Sequence, residues 1–179
     1  MLLLLYPFNG ELAFVLTRRT EMVATHKGQI SLPGGAQEPG ETIQQTALRE
    51  ACEELRICLD TVDVLGWLTP LYIPPSDFEI HPTVAYITPR PVFEPDPVEV
   101  AEVLEMSLPM LLDDRFKVKE RWEWRGQEID VPFYRLGGHV VWGATAIVLS
   151  EFEQRLHAVQ AAHSARPSPL TGKRTSVNR

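Results

Sequence analysis

Three glutamates occur within five consecutive positions of this sequence and would gather negative charge at one place. Glu50, Glu53 and Glu54 are spaced i, i+3 and i+4, and at about 100° per residue a helix places them within an arc of about 100°. Like charges at this spacing cost a helix roughly 0.2–0.5 kcal/mol. A divalent cation removes the repulsion, because Mg²⁺ takes carboxylate oxygens as ligands and commonly binds substrate phosphates as well. The alternative is an acidic helix face that is simply solvated.

The residues around these glutamates predict a helix that follows a loop. Thr42 and Gln45 form a capping-box pattern about two turns before Glu50. Pro33-Gly34-Gly35 and Pro39-Gly40 predict a preceding loop in which the backbone can closely approach a ligand. The opposite side of the helix carries the residues that we expect to pack on a sheet, Leu48, Ala51, Cys52 and Leu55.

Together these residues resemble the Nudix box, the signature of the Nudix hydrolase family. The pattern begins with Gly35, continues after five residues with Glu41, and after seven more with Arg49-Glu50-Ala51-x-Glu53-Glu54-x-x-Ile57. The one departure is Arg56, which stands where the box has a glycine that closes the helix. The departure affects the turn after the helix more than the acidic residues.

The resemblance implies a role for each residue of the box. The glutamates of the helix would bind Mg²⁺ or Mn²⁺, with Glu50 and Glu54 as the firmest ligands and Glu53 as a third. Glu53 or Glu54 would accept the proton of the attacking water, and Glu99 is a further candidate for this base. Two residues would support the site structurally, because an ion pair between Glu41 and Arg49 holds the loop to the helix.

The sequence upstream of the box resembles the additional motif of the coenzyme A pyrophosphatase branch of this family. Thr17, Arg19, Gly28 and Pro33–Gly35 match that motif, whereas Ala24 stands where the branch has an arginine. Weaker likeness extends the match over most of residues 2 to 158. The resemblance implies metal-dependent hydrolysis of the pyrophosphate bond of coenzyme A or its derivatives, which yields 4′-phosphopantetheine and adenosine 3′,5′-bisphosphate.

The same motif supplies the predicted substrate contacts, which are Arg18, Arg19, Gly28, Gly34 and Gly35. A guanidinium suits bidentate contact with phosphate. Because adjacent residues of a strand face opposite ways, we expect only one of the two arginines to face the cleft.

Two other functions stay open from the sequence. Because Ala24 replaces the positively charged arginine of the branch motif, the substrate could instead be another nucleoside diphosphate derivative, such as ADP-ribose, NADH or a nucleotide sugar. A Nudix fold that only binds a ligand is less favoured, because such modules usually lose box glutamates and this chain retains them.

The fold class expected is α/β, and the resemblance implies a Nudix-type α/β/α sandwich around a central mixed sheet. We expect one Nudix domain over residues 1–160 and a disordered tail over residues 161–179, which are rich in Ser, Pro, Thr and basic residues. Asn9-Gly10 predicts a hairpin between two apolar strands. Further strands are expected at 62–68, 83–87 and 98–106, a pair at 121–124 and 131–135, a loop at 70–78, and helices at 108–112 and 144–159.

Bulk properties limit the partners and the compartment. The net charge of −7 argues against a non-specific nucleic-acid binder. Met1–Phe8 is apolar but lacks a positive n-region and is too short to span a membrane, so a buried strand is expected and no membrane partner. The two cysteines, Cys52 and Cys58, form no disulfide or zinc pattern, which is consistent with a cytoplasmic protein. The predicted partner is a small molecule with a pyrophosphate linkage, and a homodimer stays open.

Overall fold

The computed structural model describes residues 1–22, 26–57, 62–74, 76–124 and 126–164. Ala24, Cys58 and residues 165–179 of the predicted tail therefore lie outside the described residues. The strands are β1 (Leu2–Phe8), β2 (Glu11–Arg19), β3 (Ile30–Ser31), β4 (Asp63–Trp67), β5 (Leu71–Ile73), β6 (Phe78–Ile80), β7 (Thr83–Tyr86), β8 (Val100–Ser107), β9 (Lys117–Trp124), β10 (Gln127–Leu136) and β11 (His139–Val141). The helices are α1 (Ile43–Leu55), α2 (Leu108–Leu112) and α3 (Gly143–Ser164), with a 3₁₀ turn at Asp114–Phe116.

Strand β1 lies at the centre of a six-stranded mixed sheet. It is antiparallel to β2 and parallel to β7, in the order β3-β2-β1-β7-β4, and β8 pairs with β2. Side chains from Leu2 to Tyr6 are buried on both faces, as the uninterrupted apolar run predicted. Asn9 and Gly10 both have positive φ angles, 51° and 82°, which suit a two-residue turn between twisted strands. The predicted hairpin is confirmed.

The sheet separates two apolar layers. On one face α1 packs through Ala47, Ala51 and Leu55 against alternate residues of β1 and β2. On the other face α3 and the three-stranded sheet β11-β10-β9 pack against the intervening residues, such as Leu3 and Phe14. The expected α/β class and the mixed sheet between helical layers are confirmed.

Several elements differ from the bounds predicted from the sequence. Strand β9 pairs with β10 along its whole length, and charged side chains such as Lys119 and Asp130, 2.8 Å apart, lie across this pairing. The expected loop at 70–78 instead contains β5 and the start of β6. Helix α3 continues to Ser164, so it includes the start of the predicted tail. Within the described parts of the chain, the helices lack the combination of length and apolar character that crossing a membrane requires.

The end of α1 explains how the chain tolerates the departure at Arg56. Arg56 adopts the left-handed conformation with φ of 54°, and its N–H donates to the carbonyl of Cys52. A glycine reaches this conformation without the steric penalty of a side chain. The loop before β8 satisfies two further carbonyls of the last turn, because the N–H of Glu94 donates to Leu55 O at 3.0 Å and that of Asp96 to Glu54 O at 2.9 Å.

We predict that Arg56→Gly stabilises the protein. Relief of the left-handed strain is worth about 1 kcal/mol, which corresponds to a rise in Tm of about 2–4 °C for a chain of this size. Thermal denaturation followed by circular dichroism measures this change in Tm. Arg56→Ala is the control, since alanine keeps the strain and should give no rise. A lower Tm for Arg56→Gly would contradict the strain argument.

Candidate active site

Helix α1 begins with the predicted capping box. The hydroxyl of Thr42 accepts a hydrogen bond from the N–H of Gln45 at 3.2 Å, and the side chain of Gln45 accepts one from the N–H of Thr42 at 2.8 Å. Both contacts satisfy backbone donors that the first turn of a helix leaves unpaired. The capping box fixes where the loop ends and therefore which helix positions face the sheet.

Arg49 joins the loop to the helix. Its Nε lies 2.7 Å from Glu41 Oε1, and one of its terminal nitrogens donates to Ala36 O at 2.9 Å. Hydrogen bonds from Arg49 hold the pKa of Glu41 down at about 2. Thr46, which is buried, also donates to Glu41 at 2.8 Å. The expected pairing of Glu41 and Arg49 is present, and Thr46 is an additional partner that no sequence motif indicated.

The helix glutamates do not all face the same way. Arg49 NH1 lies 2.9 Å from Glu50 Oε1 and 2.9 Å from Glu53 Oε2. The side chain of Glu53 is 57% exposed, whereas Glu54 is only 2% exposed. Burial raises the pKa of Glu50, although Arg49 opposes the shift. Glu54 therefore belongs to the buried side of α1, where Cys52 was expected, and Cys52 is only partly buried.

Glu54 is a buried carboxylate with incomplete hydrogen bonding. Its Oε1 lies 3.8 Å from a terminal nitrogen of Arg19, and its Oε2 has no hydrogen-bond partner. Burial raises its pKa to about 7, with Arg19 and the N–H of Gly34 acting against the shift and Glu99 adding to it. The Nε of Arg19 is also buried and unpaired. Two unsatisfied polar groups at one place indicate a site for a ligand or ion.

A β-bulge separates Arg18 from Arg19 in the pairing of β2 with β8. Arg19 points to Glu54, whereas the Nε of Arg18 lies 2.9 Å from Glu102. Of the two arginines predicted to contact substrate, Arg19 therefore lies beside the helix glutamates and Arg18 does not.

The glycines predicted to contact substrate differ in how near they lie to Glu50 and Glu54. The loop at Gly34 is tied to β1, because Leu2 N donates to Pro33 O at 2.8 Å. A Cβ on Gly35 would overlap the carboxyl group of Glu50, so glycine is what allows Glu50 to approach the loop. Gly28, with φ of 66°, instead lies next to Glu21.

The donor chemistry suits a divalent cation at Glu50 and Glu54. Both are partly or fully buried carboxylates, and Glu54 Oε2 lacks any other partner. In the described ranges, no three His, Cys, Asp or Glu side chains are gathered closely enough to hold a metal ion. The three-glutamate ligand set therefore stays a prediction, and Glu53 would have to leave Arg49 to join it.

We predict that Glu54 makes the metal-free protein less stable as the pH rises. Its folded pKa of about 7 lies above the unfolded value, so its contribution is fully present below about pH 4.5 and is lost as the pH rises through 7. The loss is about 3 kcal/mol. Chemical denaturation of wild type and Glu54→Gln in EDTA measures the difference. As the pH rises from about 4.5 to 7, the free energy of unfolding of Glu54→Gln should increase relative to that of wild type. A difference between the two proteins that does not change with pH would contradict the raised pKa of Glu54.

Comparison with known proteins agrees with this architecture. Residues 2–129 match the NUDIX domain model. Nudix hydrolase 22, chloroplastic, of Arabidopsis thaliana is 36% identical over 148 residues, covering 79% of this chain and 49% of that protein. The mitochondrial coenzyme A diphosphatase of Mus musculus is 35% identical over 135 residues, covering 73% and 64%.

A solved structure has the same fold. The Nudix hydrolase RenU from M. smegmatis aligns with a TM-score of 0.57 and 19% identity over 94% of this chain and 86% of that chain. The chain spans about half the length of the Arabidopsis relatives it matches. With the box residues on α1 and the family model covering most of the sequence, the chain belongs to the Nudix family.

Proposed function

We propose that this protein is a Nudix hydrolase that uses Mg²⁺ or Mn²⁺ to hydrolyse the pyrophosphate bond of coenzyme A or its derivatives. The products are 4′-phosphopantetheine and adenosine 3′,5′-bisphosphate. The observation that carries the proposal is the pairing of buried Glu54 with half-buried Arg19, each with an unpaired buried polar atom, beside Glu50 and the Gly34-Gly35 loop.

Two observations favour coenzyme A. Thr17 and Arg19 of the branch motif belong to β2, and Arg19 reaches Glu54, so part of the motif adjoins the box. A relative named mitochondrial coenzyme A diphosphatase is 35% identical. These observations make coenzyme A the first substrate to test.

The side chains divide the chemistry among them. Glu50 and Glu54 would hold the cation, which supplies charge stabilisation to the phosphate oxygens and to the attacking water when it is bound. Arg19 would donate from its free Nε to a phosphate oxygen, since a guanidinium matches phosphate geometry. Arg49 and Glu41 keep the loop against α1, so that Gly35 remains next to Glu50.

Glu54 is the preferred candidate for the base that accepts a proton from water. Its carboxylate is buried with Oε2 unpaired, and a carboxylate within reach of the attacking water can accept its proton. Glu53 is exposed and bound to Arg49, so it needs a rearrangement before it can act. A cytoplasmic location, a homodimer and the absence of nucleic-acid or membrane partners stay predictions.

We predict that the purified protein with Mg²⁺ cuts coenzyme A faster than ADP-ribose or NADH at matched concentration. Chromatography and mass spectrometry identify the products. Glu54→Gln should lower turnover by about 100-fold or more, while Glu11→Gln, on an exposed strand end, should leave it unchanged. Preference for ADP-ribose or NADH would support the alternative that Ala24 keeps open, a Nudix hydrolase of another nucleoside diphosphate derivative. Undiminished turnover of Glu54→Gln would contradict the whole site, and no turnover with either cation would favour a ligand-binding module.

We also predict that Gly35→Ala lowers turnover by about 100-fold while the protein stays folded. The added Cβ displaces the carboxylate of Glu50, and a displacement near 1 Å is enough for a loss of this size. Steady-state kinetics and thermal denaturation measure the two effects. Ala36→Ser adds one atom at the neighbouring exposed position and serves as the control. Wild-type turnover for Gly35→Ala would show that Glu50 need not occupy this position.

A further inference from the structure

Thr46 is a buried polar residue near the start of α1, at a position where its residue type is not favoured. It is only 5% exposed, and β-branched side chains lower the stability of a helix slightly. A threonine inside a helix commonly donates its hydroxyl hydrogen to the carbonyl four residues earlier. That carbonyl, Thr42 O, lies 3.2 Å from the Thr46 hydroxyl. An acceptor is therefore available to this hydroxyl within the helix itself.

The hydroxyl of Thr46 nevertheless lies closer to the carboxylate of Glu41. Its Oγ1 is 2.8 Å from Glu41 Oε2. A hydroxyl has one hydrogen to donate, and hydrogen bonds to a charged acceptor are shorter and stronger, so the hydrogen points to Glu41. The N–H of Glu38 donates to the same oxygen at 3.0 Å, and Arg49 Nε donates to Oε1 at 2.7 Å. The carboxylate is thus fixed from the helix, from the loop and by Arg49.

Glu41 in turn sets the orientation of Arg49. A guanidinium is planar and carries five N–H donors in a fixed fork, so fixing its Nε also fixes where its two terminal nitrogens point. One terminal nitrogen of Arg49 lies 2.9 Å from Glu50 Oε1, and the other donates to Ala36 O at 2.9 Å. A chain of contacts therefore runs from the Thr46 hydroxyl to the carboxylate of Glu50 and to the loop before α1.

We propose that Thr46 is a positioning residue whose hydroxyl holds the Glu41 carboxylate in the orientation that aims Arg49 at Glu50 and at the loop before α1. The inference rests on the proposed function, since it names a residue on which the geometry of that site depends. It assigns a role to one of the seven residues between Glu41 and Arg49 that the box leaves unspecified. Thr46 itself contacts neither substrate nor cation.

The first measurement follows the Nε–H of Arg49 by NMR in the protein without substrate or cation. The hydrogen bond to Glu41 protects this hydrogen from exchange with water. Thr46→Val removes the hydroxyl and keeps the shape, and it should speed this exchange by about 10-fold, the effect of weakening a hydrogen bond between charged groups. Thr46→Ser keeps the hydroxyl, so the exchange rate should stay within about twofold of wild type.

The second measurement is turnover of coenzyme A with Mg²⁺. Thr46→Val should lower kcat by about 10-fold and leave KM within about twofold, because the hydroxyl orients side chains of the site and contacts no substrate. Thr46→Ser should restore kcat. If Thr46→Val does not fold, Thr46→Ala provides the same test, since it also removes the hydroxyl and suits a helix better.

Thr83→Val is the matched control for both measurements. Thr83 is also buried, but among the described residues its hydroxyl has no hydrogen-bond partner. The same chemical change at this position should leave the Nε–H exchange of Arg49 and kcat as in wild type. A loss at Thr83 equal to that at Thr46 would show a general effect of removing a buried hydroxyl and would overturn the proposal.

A double-mutant cycle identifies the route of the effect. Glu41→Ala alone should speed the Nε–H exchange of Arg49 and lower kcat. Thr46→Val added to it should change kcat by less than about twofold, because the carboxylate that Thr46 holds is already absent. Equal effects of Thr46→Val with and without Glu41→Ala, or wild-type exchange in Thr46→Val, would overturn the proposal.

The exchange measurement separates this inference from the proposed function. If Thr46→Val speeds the exchange and Thr46→Ser does not, but wild type cuts no diphosphate, the hold of Thr46 on Arg49 stands and the hydrolase proposal fails. If wild type cuts coenzyme A and Thr46→Val has the wild-type kcat, the hydrolase proposal stands and the positioning role of Thr46 is overturned.

Discussion

The burial of an acidic side chain near other acidic side chains is the constraint on which this structure depends. Glu54 is buried at the end of α1 with one oxygen unpaired, and the charges of Glu50 and Glu99 reach it. Isolated carboxylates lose hydration when they are buried and repel one another. Arg19, at 3.8 Å from Glu54, offsets the loss of hydration and the repulsion only in part. The fold maintains an arrangement that the carboxylates alone would not adopt, which is what preorganisation for a cation requires.

The contacts that maintain it lie around the glutamates. Arg49 binds the loop through Ala36 and Glu41, and the capping box sets the start of α1. Backbone hydrogen bonds from Glu94 and Asp96 cover the end of the helix. Each of these contacts restrains a different segment, so the site is held by the loop before α1, by the start of the helix and by the loop before β8.

The sequence predicted the parts of this protein that depend on local patterns. The capping box, the hairpin at Asn9-Gly10 and the buried β1 follow from residue types at fixed spacing, and the structure has them. Spacing on a helix indicated that Glu50, Glu53 and Glu54 share one side, but not which of them is buried. That depends on the rotation of α1 against the sheet and on Arg49, which binds Glu53 at the surface.

Other features depend on contacts between distant segments and left no local signal. Which arginine reaches Glu54 depends on which face of β2 meets α1, and the apolar run of β2, which is buried on both faces, does not reveal that. The hydrogen bond from Thr46 to Glu41 requires the folded loop. Strands β9 and β10 are longer than their apolar residues suggested, because the backbone pairing between them continues through exposed polar residues.

The central place of β1 has a consequence for the order in which the chain folds. The β1–β2 hairpin is local and can form early, but Leu2 pairs with Thr83 and Arg19 with Val100, across long stretches of sequence. Pairings of this kind form slowly because a long loop must close first. Glu99, which immediately precedes β8, lies at the end of β2 only when these two strands pair. The charges of Glu50 and Glu99 that raise the pKa of Glu54 therefore come together only after this long-range pairing has formed.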